Sequence, residues 1–181
     1  MRTRVGYAGG TIESPTYRKM GDHTETIQVD FDRSLISYEE LLDHFWDNHY
    51  AVGERYGGRQ YMSLLLYHTE PQKEAAIKKR NEIKKQRGTE IITEISPFMK
   101  FYIAEDYHQK YYLKRYPSAV ERLSLLYPDH EDFVNGTLVA RLNGLVKGFG
   151  TLRSIKDEIE SELTSHNKKQ HMLDVVESIK W

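Results

Sequence analysis

The sequence predicts an α+β fold, with a mixed core over residues 1–115 and a helical extension over 116–181. Three patterns carry that reading. Thr24 to Asp32 alternates apolar and polar residues, as a half-buried strand does. Ser37-Tyr38-Glu39-Glu40 has the form of a capping box ahead of an apolar stripe. Leu152, Ile155, Ile159 and Leu163 recur at the spacing of an amphipathic helix.

The elements follow in order. Thr3 to Tyr7 is short and extended, and Ala8-Gly9-Gly10 turns the chain. Residues 11–23 read as loop, broken by Ser14-Pro15 and Gly21-Asp22. In the strand from Thr24, Ile27, Val29 and Phe31 share one side, and Glu25 has their parity, so it is expected to point toward the core. The capped helix runs through Leu41, Leu42, Phe45 and Trp46 to about His49. A loop with Gly53, Gly57 and Gly58 follows. Gln60 to Tyr67 is then a strongly apolar strand fit for a central sheet position. Thr69 caps a helix with Ala75, Ala76, Ile77 and Ile83 on a modest buried side, and Gly88 ends it. Glu90 to Ile95 and Phe98 to Ala104 read as extended, and Glu105 to Tyr112 as helix.

From about Pro117 the character turns helical. Helices are expected over Ala119 to Leu126, over Glu131 to Val146 with an interruption at Gly136, and from Leu152. Met172 to Trp181 is either a short helix or a frayed end.

Composition narrows the function. The 181 residues carry 26 basic and 27 acidic side chains, a net charge of −1, which leaves no electrostatic footprint for nucleic acid or a membrane surface. The Lys/Arg run from Lys78 to Arg87 has helical spacing and reads as a solvated face. No apolar run approaches the length of a membrane span, and Met1 to Tyr7 lacks the apolar region of a signal peptide. With no cysteine, the chain offers neither disulfides nor thiolate metal sites nor thiol chemistry of its own.

Three stretches resemble the peptide methionine sulfoxide reductase A family. They are VGYAGG at 5–10 with PTYRKMGDHTE at 15–25, ISYEELLDHFWDNH at 36–49 with RQYMSLLLYH at 59–68, and FYIAEDYHQKYYL at 101–113. Their order and spacing follow the family over most of residues 3–115. The segment LVARLNGLVKGFG at 138–150 resembles a tail found on an animal-type branch. The resemblance implies a two-layer sandwich with a ferredoxin-like core. It also implies reduction of methionine-(S)-sulfoxide in oxidised protein substrates. A cysteine thiolate attacks the sulfoxide sulfur, the protonated oxygen leaves as water, and water then cleaves the S–S bond, freeing methionine and leaving a cysteine sulfenic acid; another thiol resolves that acid as a disulfide, with thioredoxin closing the cycle.

Carried over residue by residue, the family's acid matches Glu25 in His23-Thr24-Glu25, and its two hydroxyl donors match Tyr17 and Tyr61. The chemistry agrees. The sulfoxide oxygen must be protonated to leave, a carboxylic acid in an apolar pocket can donate that proton, and phenols can donate to developing negative charge. The plainer alternatives are a surface carboxylate for Glu25 and packing for Tyr61. His23 and His108 are expected as hydrogen-bonding residues beside the site, on the substrate side. No metal is expected, since their spacing matches no compact zinc pattern, and no cofactor beyond thioredoxin or another thiol as reductant.

The chain departs from the family in three ways. The GCFWG loop that carries the nucleophile is absent, together with its strand and helix. Residues 53–58 offer no equivalent of the aspartate that many members place before the Gln-Tyr pair. No resolving cysteine follows. The expectation is therefore a chain that begins one element after the nucleophile, poorly stable because an interior strand is lacking. A misread upstream exon or selenocysteine codon would produce such a start. Such a chain is expected to be inactive alone. Thioredoxin would become a partner only of a form with Cys or Sec. The alternative is a non-catalytic binder of oxidised-methionine segments, or a scaffold acting through the helical tail. The cytoplasm is the expected location, with an N-terminal targeting segment as the open alternative.

Overall fold

A computed structural model describes residues 1–49, 58–162 and 165–181. The fold is α+β, as predicted. The chain divides into two compact units, one of residues Val5–Glu105 and one of Met1–Arg4 with Asp106–Trp181.

Strand β1 (Arg2–Ala8) lies between β2 (Thr24–Asp30) and β5 (Phe101–Ile103). It pairs antiparallel with β5 through Gly6↔Ile103, Tyr7↔Tyr102 and Ala8↔Phe101. Only glycine fits at position 6: a Cβ there would stand 2.2 Å from the Tyr102 carbonyl oxygen and 2.5 Å from the Phe101 ring. Tyr7, Met20 and Ala104 form a small core, with Val5 and Tyr102 packed against it.

The reading of β2 needs two corrections. The strand stops at Asp30, and its covered side is the opposite of the expected one. Thr24 is buried, Glu25 is exposed, and Ile27 is 60% exposed. Alternation fixes that successive side chains take opposite sides of a strand, but not which side is covered. Here β2 sits at the edge of its sheet, and the side bearing Glu25 and Ile27 is open.

Helix α1 (Tyr38–Asn48) begins with the complete capping box. The Ser37 hydroxyl accepts from the Glu40 N–H, and the Glu40 carboxylate accepts from the Ser37 N–H at 2.8 Å. Leu42 and Trp46 are buried against Leu65, Ala76, Ile83 and Ile91. Just past the helix, the His49 ring bonds the Phe45 carbonyl and, at 2.6 Å, the Ser63 hydroxyl, which in turn meets Thr93 at 2.7 Å. Burial pushes the His49 pKa down.

Gln60 and Tyr61 lie on a 3-10 turn, Gly58–Tyr61, and not on a strand. The strand starts later, as β3 (Leu64–Tyr67), and pairs in parallel with β4 (Glu94–Pro97) in a two-stranded sheet among the described residues, so it is not central. The apolar run itself begins only after the turn, and periodicity does not mark where a strand starts. Between these strands α2 (Glu70–Arg87) is capped by Thr69 and ends at Gly88, whose φ of +64° suits a residue without Cβ.

Glu105 to Tyr112 is not an α-helix. A 3-10 turn spans Asp106–His108, and Lys110 at φ +52° breaks any helical continuation. The Lys110 ammonium is buried and donates to the Thr3 carbonyl and, at 2.8 Å, to its hydroxyl. That anchor holds the N-terminal residues in the helical unit, with Arg4 reaching the Asn135 side chain at 3.2 Å.

The helical unit contains α3 (Pro117–Leu123), α4 (His130–Asn135), α5 (Thr137–Leu145), α6 (Leu152–Glu162) and α7 (His166–Glu177). The break at Gly136 falls where the sequence places it. Ile155 and Ile159 join Leu123, Leu142 and Val176 in one core, while Leu163 lies outside the described residues. The final segment is a helix that starts earlier than expected, and Ile179 beyond it is buried.

Candidate active site

Glu25 and Tyr61 come from β2 and from the 3-10 turn, and one side chain joins them. The Gln60 amide nitrogen donates to Glu25 Oε1 at 2.8 Å and to the Tyr61 phenol oxygen at 3.0 Å. An amide carries two N–H groups, so both bonds form together. A phenol that accepts on a lone pair still carries its own proton to donate. A carboxyl group that accepts on one oxygen can carry an acidic proton on the other. The Gln60 amide therefore sets a carboxyl group and a phenol side by side. Glu25 is exposed and Tyr61 is 51% exposed, so the acid lies open to solvent and not in the apolar pocket expected for it.

Arg59 fixes the turn that carries Gln60 and Tyr61. Its guanidinium donates to both carboxylate oxygens of Glu94, at 2.9 and 3.3 Å, to the Asp22 carbonyl at 2.8 Å and to the Gly9 carbonyl at 2.9 Å. Its own carbonyl accepts from the Thr24 hydroxyl at 2.9 Å. Planar, bidentate geometry of this kind belongs to arginine and not to lysine.

Tyr17 is 39% exposed. Its backbone N–H donates to Glu105 Oε1 at 3.0 Å, and the other oxygen of that carboxylate accepts from the buried Tyr7 hydroxyl at 2.5 Å. Glu105 thus ties the Tyr17 loop to β1. The structure brings Glu25 and Tyr61 to one amide and holds Tyr17 through a different carboxylate.

His23 is 1% exposed, and both ring nitrogens serve the loop at 10–12. The Gly10 N–H donates to Nδ1 at 3.2 Å, so the ring proton sits on Nε2, which donates to the Ile12 carbonyl at 2.8 Å. The ring is a loop brace, with no nitrogen left to face a substrate. Asp22 reinforces the same loop: the Thr11 backbone and hydroxyl hold its carboxyl down at about 2. His108 lies in the helical unit, its ring 4.1 Å from that of Tyr107 between centroids. Among the described residues no cluster of His, Asp or Glu could hold a metal. The aspartate position sought within 53–58 falls, apart from Gly58, outside the described residues.

Three participants escaped the sequence reading: Gln60 as bridge, Arg59 as clamp and Glu105 as brace. The Gln-Tyr pair is visible in the sequence as a motif, but only the tertiary fold makes the glutamine a link between the acid and the phenol. Arg59 and Glu105 stand within the quoted stretches, but nothing local gives their roles, because their partners lie 35 to 98 positions away in sequence.

Known proteins provide an independent comparison. A family model described as peptide methionine sulfoxide reductase matches residues 1–134. A peptide methionine sulfoxide reductase of Drosophila melanogaster is 42% identical over 177 residues, covering 94% of this chain and 69% of that protein. A peptide methionine sulfoxide reductase MsrA of Methanosarcina acetivorans is 43% identical over 123 residues, covering 62% of this chain and 65% of its own length. The chain thus spans about two thirds of these relatives. Among solved structures, Mxr1 from Saccharomyces cerevisiae in reduced form superposes with a TM-score of 0.56 at 30% identity, over 64% of this chain and 71% of that one. Methionine sulfoxide reductase A of Corynebacterium diphtheriae gives 0.53 at 29% identity, over 64% and 63%. By sequence and by fold, this chain belongs to the peptide methionine sulfoxide reductase family.

Proposed function

We propose that this chain carries the oxygen-facing half of a methionine-(S)-sulfoxide reductase site, with Glu25 as the proton donor and Tyr17 and Tyr61 as hydroxyl donors to the sulfoxide oxygen. The observation that carries the reading is the Gln60 amide bonded at once to Glu25 and to the Tyr61 phenol. It sets an acid and a phenol where one oxygen atom could meet both. Donors aimed at developing charge contribute most when they are held in place before reaction.

Reduction of the S–O bond also needs a nucleophile, and the 181 residues contain no cysteine. The chain by itself therefore recognises a sulfoxide without reducing it, and thioredoxin acts only on a form that supplies a thiol or selenol. The substrates are oxidised methionines in proteins. No helix among the described residues is long and apolar enough to cross a membrane, and the cytoplasm is the proposed location. The second reading is a binder of oxidised-methionine segments, favoured by the absence of cysteine together with retention of the donors.

The test uses the purified 181-residue chain with the S and R epimers of N-acetylmethionine sulfoxide amide and dithiothreitol. The expected result is no reduction of either epimer, with saturable NMR shift changes for the S epimer. Turnover by this chain would refute the assignment of its chemistry, and absence of any binding preference would refute the half-site.

A further inference from the structure

We propose that Arg59 is a positioning residue for sulfoxide recognition, setting the distance between the proton donor and the phenol; this rests on the reading of Glu25 and Tyr61 as the oxygen-facing pair. The two groups stand on segments 35 positions apart in sequence, on β2 and on the 3-10 turn. Neither segment is a regular partner of the other in a sheet. Something else must fix their separation, and Arg59 reaches both. Its guanidinium donates to the Asp22 carbonyl and its carbonyl accepts from the buried Thr24 hydroxyl, bracketing the residues just before Glu25. Gln60 and Tyr61 follow it directly in the chain.

The far side of the guanidinium anchors that link to the rest of the unit. Both Glu94 oxygens, on β4, take N–H groups from it, and Gly9 takes another at the turn after β1. One oxygen of Glu94 also accepts from the Ser96 hydroxyl at 2.8 Å, which fixes the carboxylate plane. The segment leading into the acid-bearing strand, β4 and the turn after β1 therefore meet on one planar cation carried by the phenol-bearing turn. A lysine at this position keeps the charge but cannot serve a carboxylate and two carbonyls from fixed directions. Only the Thr24 bond to the carbonyl of residue 59 and the flexible Gln60 side chain would then hold the Glu25–Tyr61 spacing, and a donor pair matched to one sulfoxide oxygen would match it less well.

The experiment measures, by NMR titration of the full chain, the ratio of affinities for N-acetylmethionine-(S)-sulfoxide amide and for the corresponding thioether. Only the sulfoxide has the oxygen, so the ratio isolates recognition of that atom. Arg59→Lys is expected to cut the ratio about tenfold and to move the Gln60 side-chain amide resonances toward free-glutamine values, with an unchanged circular dichroism spectrum. Glu94→Gln, which keeps Arg59 but weakens its clamp, should fall between, and it serves as the test if Arg59→Lys does not fold. Leu142→Ala, in the core of the helical unit, lowers stability and should leave the ratio alone. If Tyr61→Phe abolishes the preference while Arg59→Lys and Glu94→Gln keep it, the role of Arg59 is overturned and the half-site stands. If the unaltered chain shows no preference for the sulfoxide, the half-site reading fails and this proposal fails with it.

Discussion

The Gln60 side-chain amide donates to Glu25 Oε1 across 2.8 Å, linking a turn to a strand that begins with a buried threonine. The bond lies at the surface, so its effect on stability is small, but it orients the carboxyl group. Gln60→Leu should change unfolding free energy by no more than about 1 kcal/mol. Sulfoxide affinity should fall several-fold, because both donors lose their common tether. Thermal melts and ligand titration on the same sample separate the two effects.

Gly6 makes the opposite prediction, large for stability and unrelated to ligand. An alanine Cβ would meet the Tyr102 carbonyl oxygen at 2.2 Å, and a paired backbone oxygen cannot step aside as a side chain can. Gly6→Ala should cost about 3 kcal/mol or more. At Gly88 nothing lies within 4 Å, and only the φ of +64° resists substitution, so Gly88→Ala should cost about 1 kcal/mol. Urea midpoints of the two variants check the contrast.

Tyr7→Phe removes the hydroxyl that donates to Glu105 from a side chain only 2% exposed. A half-buried carboxylate then loses a charge-assisted bond, at a cost of about 1–3 kcal/mol. The Tyr17 loop depends on the same carboxylate, so hydrogen exchange at the Tyr17 amide should accelerate more than exchange in α2.

Lys110 gives a pH dependence. Burial, with Arg4 and Lys114 nearby, holds its pKa down at about 8, against an ordinary 10.5. Below pH 8 the ammonium is charged in both folded and unfolded chains, and the cost of burying that charge is present in full. Between about 8 and 10.5 the folded chain releases the proton while the unfolded chain keeps it, so stability rises with pH across that window. The gain is on the order of 1–3 kcal/mol. Lys110→Met should remove this rise, and denaturant unfolding of both proteins from pH 7 to 10.5 would reveal it.

Several elements were legible because their signals are local. The Ser37–Glu40 capping box, the stop at Gly88, the break at Gly136 and the Ile155–Ile159 stripe each depend on residues a few positions apart, and each stands as the sequence predicts. The helix expected after Glu105 failed for a reason periodicity does not carry. A bond from Lys110 to Thr3, 107 positions earlier, accompanies a left-handed backbone that no helix tolerates. The turn at Gly58–Tyr61 was hidden because it leads directly into the apolar run that forms β3, and periodicity does not mark where a strand begins.

By itself, the sequence determined the α+β class, the family, the helix boundaries set by caps and glycines, and the absence of cysteine from these 181 residues. Those are properties of residue identity and short spacing, which the chain carries wherever it folds. Only the tertiary structure decided which side of β2 is covered, that His23 braces a loop, and that Gln60 and Arg59 gather the acid and the phenol. Each depends on contacts between distant segments, and hydrogen-bond geometry at that range follows from packing and not from local pattern.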